Sequence, residues 1–107
     1  MRKLKIILLL SLFSVVTLFG QTVFSLYQTK FKTAKSFYDK RDFKDAFKGF
    51  LSLSNISPDD PKVNFYLGRS ALEIKNYDVA MAAFDRVLII NPNHTRSKLE
   101  IARIYFE

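Results

Sequence analysis

The chain contains no cysteine, a single histidine and only three glycines in 107 residues. Without cysteine there is no disulfide framework and no thiol to carry a lipid. One histidine and no cysteine also exclude the usual transition-metal spacings. The scattered glycines cannot build a phosphate-cradling loop. No G-x-S-x-G or other nucleophile context surrounds the serines. His94 follows Pro92 with no acid or nucleophile at motif spacing, and it reads as a surface turn residue. No catalytic residue, cofactor site or metal site is expected, so the chain does not read as an enzyme. No segment alternates with a period of two, which excludes a sheet.

Acidic residues are missing from the first part of the chain, where the earliest is Asp39. Residues 1–25 have a character of their own. Arg2, Lys3 and Lys5 form a basic start, and Ile6 to Phe19 is an apolar run broken only by Ser11, Ser14 and Thr17. This order is that of a secretory signal peptide, and the run is shorter than the roughly 20 residues of a spanning helix. Small residues suited to cleavage stand at Gly20 and Ser25, neither in a strong A-x-A context. Two readings stay open, a cleaved signal peptide and an uncleaved N-terminal anchor giving membrane association through residues 1–25. Either implies export, to the periplasm or cell envelope.

What the chain has in abundance is repetition. Residues 27–60 laid on 61–94 give six identities: Phe31/Phe65, Ser36/Ser70, Ala46/Ala80, Phe50/Phe84, Ile56/Ile90 and Pro58/Pro92. Further pairs keep their type, among them Ala34/Gly68, Lys35/Arg69, Asp39/Glu73 and Phe43/Tyr77. The pattern runs on into residues 95–107, with Ala102, Arg103 and Glu107. A fixed period of 34 residues marks stacked units that bury their apolar faces on one another. Apolar spacing within the units predicts helices over 28–40, 43–56, 61–75, 77–90 and 95–107. The predicted core faces include Phe43, Ala46, Phe47, Phe50, Leu51 and Leu53 in the second helix, and Ala80, Met81, Phe84, Val87, Leu88 and Ile90 in the fourth. Ser57-Pro58-Asp59-Asp60-Pro61 and Asn91-Pro92-Asn93-His94 are stops, with Asp59 and Asp60 as candidate N-caps.

Leu67-Gly68, Ala80, Phe84 and Pro92 have the spacing of the tetratricopeptide repeat pattern W-x2-L-G-x2-Y…A-x3-F…P, and residues 27–107 resemble that family. Asn64 stands where the pattern has Trp, and Ala71 where it has Tyr. The resemblance implies an all-α, helical-hairpin solenoid of about 2.5 repeats over residues 26–107, with units 27–60, 61–94 and a partial unit 95–107. A signal segment followed directly by such repeats also resembles bacterial envelope proteins, some of which carry the repeats ahead of an outer-membrane barrel.

In this family the first helices of the hairpins line a concave groove for extended peptides. Along those helices Lys35, Arg69 and Arg103 recur with the period. So do Phe31, Phe65 and Leu99, and Tyr38, Leu72 and Phe106. The resemblance therefore implies candidate partner contacts at Phe31, Lys35, Tyr38, Lys62, Phe65, Arg69, Leu72, Arg96 and Arg103. Basic and aromatic rungs suit a protein or peptide partner with an acidic group or a free carboxylate. Against this, Asp39, Glu73 and Glu107 each stand four residues after a basic rung, so the ladder could be paired within its own helices. The net charge of +7 falls to +4 after residue 25, where fourteen bases face ten acids. That excess suits a solvated helical surface, and no nucleic-acid partner is expected. The leading reading is an exported scaffold that binds a protein or peptide in a concave groove. The alternatives are a structural spacer or periplasmic N-terminal domain of a larger outer-membrane barrel protein involved in export, and a subunit of an enzyme. The apolar residues of the last helix, Leu99, Ile101, Ile104, Tyr105 and Phe106, imply a further helix or a downstream domain beyond them.

Overall fold

The computed structural model describes residues 2–106, with the side chains of residues 10–12 and 14–106. Five helices follow one another: α1 (Arg2–Asp39), α2 (Phe43–Ile56), α3 (Pro61–Glu73), α4 (Tyr77–Ile90) and α5 (Thr95–Tyr105). No strand occurs among the described residues. Each helix packs on the next, so α1/α2 and α3/α4 are hairpins and α5 lies on α4. The expected helices are all present. The first differs in extent: it begins at Arg2 rather than residue 28, and it spans 38 residues. Nothing between Ile6 and Lys35 breaks it, because that stretch has no proline and one isolated glycine.

The turns repeat with the sequence. Arg41 and Lys75, 34 residues apart, both take the left-handed conformation at φ 64° and 63°. In each turn the same two bonds form, Asp42 N–H to Phe37 C=O and Arg41 N–H to Tyr38 C=O, then Asn76 N–H to Ala71 C=O and Lys75 N–H to Leu72 C=O. This pair of bonds closes a helix end by satisfying its last carbonyls. The next residue then starts the following helix: Asp42 accepts from Asp45 N–H, and Asn76 from Val79 N–H. At the opposite end Asp60 caps α3, accepting from Lys62 and Val63 N–H, with Pro61 in the first turn. His94 stands at the equivalent position and caps α5, its Nδ1 accepting from Ser97 N–H at 3.2 Å. The surface turn residue of the sequence reading is thus a helix cap, and its ring lies 5.2 Å from that of Phe65.

The core has two clusters. One joins Ala34, Ala46, Phe50, Leu53, Val63, Leu67 and Ala83. The other joins Phe65, Ala71, Leu72, Ala80, Phe84 and Val87. Close approach is achieved differently in the two hairpins. A Cβ on Gly68 would lie 2.7 Å from the Phe84 ring, whereas a Cβ on Gly49 would lie 2.8 Å from the Cβ of Ala34. The small residue therefore sits on α3 in one hairpin and on α2 in the other. Asn64, at the tryptophan position of the pattern, is fully buried, and its Nδ2 donates to the carbonyls of Pro58 and Asp60. A polar stitch to the inter-repeat loop replaces a large ring there. Some expected core positions are open instead: Leu51 and Ile90 are exposed at 37% and 42%. The same turns of α2 and α4 bury Phe50, Leu53 and Val87 completely, so these two side chains lie on the outer faces of the helices.

Candidate functional site: the ladder on α1, α3 and α5

Of the helices that carry the candidate contacts, α3 touches both α1 and α5 directly across the hairpins. Their side chains are neighbours in a repeated scheme. The ammonium of Lys62 lies over the Phe31 ring at 4.9 Å, and the guanidinium of Arg96 lies over the Phe65 ring at 5.0 Å. These pairs are related by the period. Such placements favour a cation by the negative face of the ring, by about 0.5–1 kcal/mol at exposed sites. Phe31 also meets Phe50 and Tyr66 edge-on.

The basic rung obeys the same scheme with different partners. Lys35 Nζ lies 5.3 Å from the Tyr66 ring and 2.7 Å from Asp39 Oδ1. The Asp39 bond, above all, raises the Lys35 pKa. The residue 34 positions after Tyr66 is Glu100, and it receives the equivalent cation: Arg69 Nη1 lies 2.8 Å from Glu100 Oε1. Arg69 Nε also donates to the Tyr38 hydroxyl at 3.2 Å. One guanidinium thus joins α1, α3 and α5. Its burial alone would lower the Arg69 pKa, but the Tyr38 bond and the charges of Tyr38, Glu100 and Glu73 outweigh that and raise it. The second oxygen of Glu100 is 3.5 Å from Arg103 Nη1, an ion pair without hydrogen-bond geometry.

Pairing within the helix therefore holds for Lys35 with Asp39. Arg69 turns from Glu73 to Glu100, because Glu100 is a half-buried carboxylate that needs a donor. Glu107, the expected partner of Arg103, lies outside the described residues. Of the candidate contacts, Phe31, Lys35, Tyr38 and Arg69 are half-buried, and Lys62, Arg96 and Arg103 are exposed. Phe65 and Leu72 are buried at 8% and 5% and belong to the core. A groove of about 340 Å³ opens beside the ladder, lined by Phe31, Lys32, Lys35, Ser36, Asp39 and Lys40. Tyr66 and Glu100 were not singled out in the sequence. Their period relation to each other was the available signal.

At the other end of α1 the Tyr27 hydroxyl donates to Asp60 Oδ2 at 2.8 Å. Burial, the bond and the Asp60 charge together push the Tyr27 pKa up to about 12.

Residues 61–94 match the family model for the tetratricopeptide repeat. They form a tetratricopeptide repeat. The matched span is the second hairpin together with its loop to α5, bounded as the period bounds it. The first hairpin repeats its turns, caps and packed aromatics. Tetratricopeptide repeats serve in general as protein–protein interaction scaffolds and are typically non-catalytic. No curated protein matches the chain. The apolar N-terminal half of α1 has the length and composition of a membrane span, and a signal sequence shares both properties.

Proposed function

We propose that this chain is an exported scaffold of the cell envelope whose α1, α3 and α5 face holds an extended protein or peptide segment carrying an acidic group. The observation that carries this reading is the repeated mounting of cations on aromatic rings along that face, at Lys62/Phe31, Lys35/Tyr66 and Arg96/Phe65. A cation held over a ring keeps donors free for a carboxylate, while the ring offers apolar contact to the adjoining side chain. Lys35, Lys62 and Arg96 are the proposed contacts, and Arg69 holds the helices beneath them. Export rests on the basic start and the apolar run that follows it. The test is fluorescence anisotropy with an acidic and a charge-neutral peptide of the same length. Lys35→Glu and Lys62→Glu should weaken binding of the acidic peptide and leave the melting temperature within a few degrees. Equal binding of both peptides by both proteins would remove the groove from the account. A periplasmic reporter fused after residue 30 tests export separately, and a silent reporter refutes it.

A second reading has its own observation. Leu99, Tyr105 and Phe106 on α5 are exposed at 63%, 77% and 90%. Their period equivalents Phe65, Ala71 and Leu72 are covered by α4. This favours a spacer or assembly role in which α5 packs on a further element, as in the periplasmic domain of a larger barrel protein.

A further inference from the structure

Helix α1 is a single element, and its second half is the first helix of the repeat array. Residues 6–29, 24 in number, carry no charge. At 1.5 Å per residue such a stretch reaches about 36 Å, against about 30 Å for the hydrocarbon core of a bilayer. The apolar run was too short when counted only to Phe19. As a continuous helix, the uncharged stretch is long enough. Leu10, Val16, Phe19 and Phe24 in it are exposed at 64%, 69%, 71% and 62%. With Leu12, Val15, Leu18, Val23 and Leu26 these positions run all the way round a 3.6-residue helix, and no protein covers them.

The level at which this stretch ends is fixed by a bond. Tyr27 to Asp60 holds the α2–α3 loop beside the last turn of the uncharged segment. The helices alternate in direction, so the loops at 57–60 and 91–94 share that end of the array. The turns at Arg41 and Lys75 lie at the other end. The near end carries Lys30, Lys32, Lys62, Arg96 and Lys98 against Asp59 and Asp60. Ile56 and Ile89 are exposed there at 56% and 79%. A groove of about 490 Å³ between α1 and α3 opens at the same level, lined by Phe24, Tyr27, Gln28, Phe31, Lys32, Asp60 and Lys62.

We propose that α1 is retained as a rigid strut crossing the membrane with residues 6–26, and that it seats the 57–60 and 91–94 loop edge of the repeats on anionic phospholipid headgroups. Phe24 and Tyr27 occupy the interfacial layer, where aromatic rings concentrate, and Lys30, Lys32 and Lys62 meet lipid phosphates. The acids Asp59 and Asp60 oppose this attraction, Asp60 less so because its carboxylate is engaged by Tyr27 and the α3 cap. Lys62 is shared with the proposed peptide face, whereas Lys30 and Lys32 are not among the proposed peptide contacts.

The lack of native cysteine makes the test direct. Full-length protein is reconstituted in phosphatidylcholine/phosphatidylglycerol vesicles containing a nitroxide-bearing lipid. A fluorophore is attached at Ile56→Cys or Asn93→Cys on the near edge, or at Lys40→Cys or Lys75→Cys on the far one. Mass spectrometry of the protein purified from its membrane should show an intact N-terminus. Quenching at the near sites should exceed that at the far sites by about twofold or more, since the far sites lie beyond the reach of headgroup contacts. The excess should fall on Lys30→Glu/Lys32→Glu/Lys62→Glu and in vesicles of phosphatidylcholine alone. A mature N-terminus at Gln21 or Leu26 overturns the strut. Equal quenching at both edges overturns the seating, and an excess unmoved by charge reversal or lipid charge overturns the headgroup contact.

Discussion

Lys35 and Arg69 occupy the same place in successive hairpins, yet one is a half-exposed lysine held by Asp39 and the other bridges three helices through Tyr38 and Glu100. The backbone around them is the same. Both hairpins turn through a left-handed non-glycine residue, both cap the next helix with Asp or Asn, and both bury a phenylalanine completely. The period dictates this frame because each hairpin must present the same packing surface to the next. It does not dictate the rung, whose partner comes from the following unit. There the facing residue is Tyr66 in one case and Glu100 in the other. A basic ladder read as one uniform surface is thus two environments, a half-exposed pair within one helix and a bridge across three helices.

The largest break in the comparison should come from the shared frame. Phe50→Ala and Phe84→Ala are each expected to cost about 3–5 kcal/mol, as for other buried aromatics. The two hairpins then part at their glycines. Gly68→Ala forces a Cβ against the Phe84 ring and should cost about 1–3 kcal/mol by overpacking. In a Phe84→Ala background that cost should vanish, because the ring it strikes is gone. Thermal melts followed by circular dichroism, on the full chain in detergent micelles, give the four corners of the cycle. Additive costs would mean that the Gly68–Phe84 contact does not set the helix approach.

The rung itself gives the next effect. Arg69→Ala leaves Glu100 half-buried with only Arg103 nearby, and a loss of about 1–2 kcal/mol is expected for such a partly buried pair. Lys35→Ala removes an exposed pair and should cost no more than about 0.5 kcal/mol. Equal costs in the same melts would erase the distinction between the two rungs.

These features were readable from the sequence to different depths. The period, the all-helical architecture and the cap at Asp60 follow from local rules that need no partner. The role of His94 as a cap does not, because histidine rarely fills that position. It emerges only from the equivalence with Asp60. The Arg69 bridge needed a contact 31 residues away, which helix periodicity does not encode. The continuity of α1 into the repeat was hidden by ending the apolar run at Phe19, although only the isolated Gly20, and no proline, follows that residue before the turn at Arg41.

The bond between Tyr27 and Asp60 has no counterpart in the second hairpin, where Pro61 and His94 hold the equivalent places. Tyr27→Phe should cost about 0.5–1.5 kcal/mol at neutral pH, the net worth of a typical hydrogen bond. The pH dependence has a definite sign. A folded-state pKa raised from 10.0 to about 12 means the native protein holds the phenolic proton more tightly than the unfolded chain does. The stabilisation is fully present below about pH 10 and is lost as pH rises toward about 12. Denaturation measured from pH 8 to 11.5 should therefore show wild type and Tyr27→Phe converging at the alkaline end. A constant gap across that range would show that the hydroxyl is not held by Asp60.

The smallest expected effect tests the frame where the hairpins agree most closely. Arg41 and Lys75 each hold a left-handed backbone that costs a residue with a Cβ about 1 kcal/mol relative to glycine. Glycine loses more chain entropy on folding, which offsets part of that gain. Arg41→Gly and Lys75→Gly should therefore each stabilise the fold slightly, by a few tenths of a kcal/mol up to about 1. The two gains should match, since the φ angles and both turn bonds are the same. Arg41 carries one further contact, its guanidinium 5.6 Å from the Phe43 ring, so any shortfall should fall on Arg41→Gly. If instead Lys75→Gly gains less, the turns are not equivalent in energy despite their equal geometry. The period would then describe the backbone of this array without describing its stability.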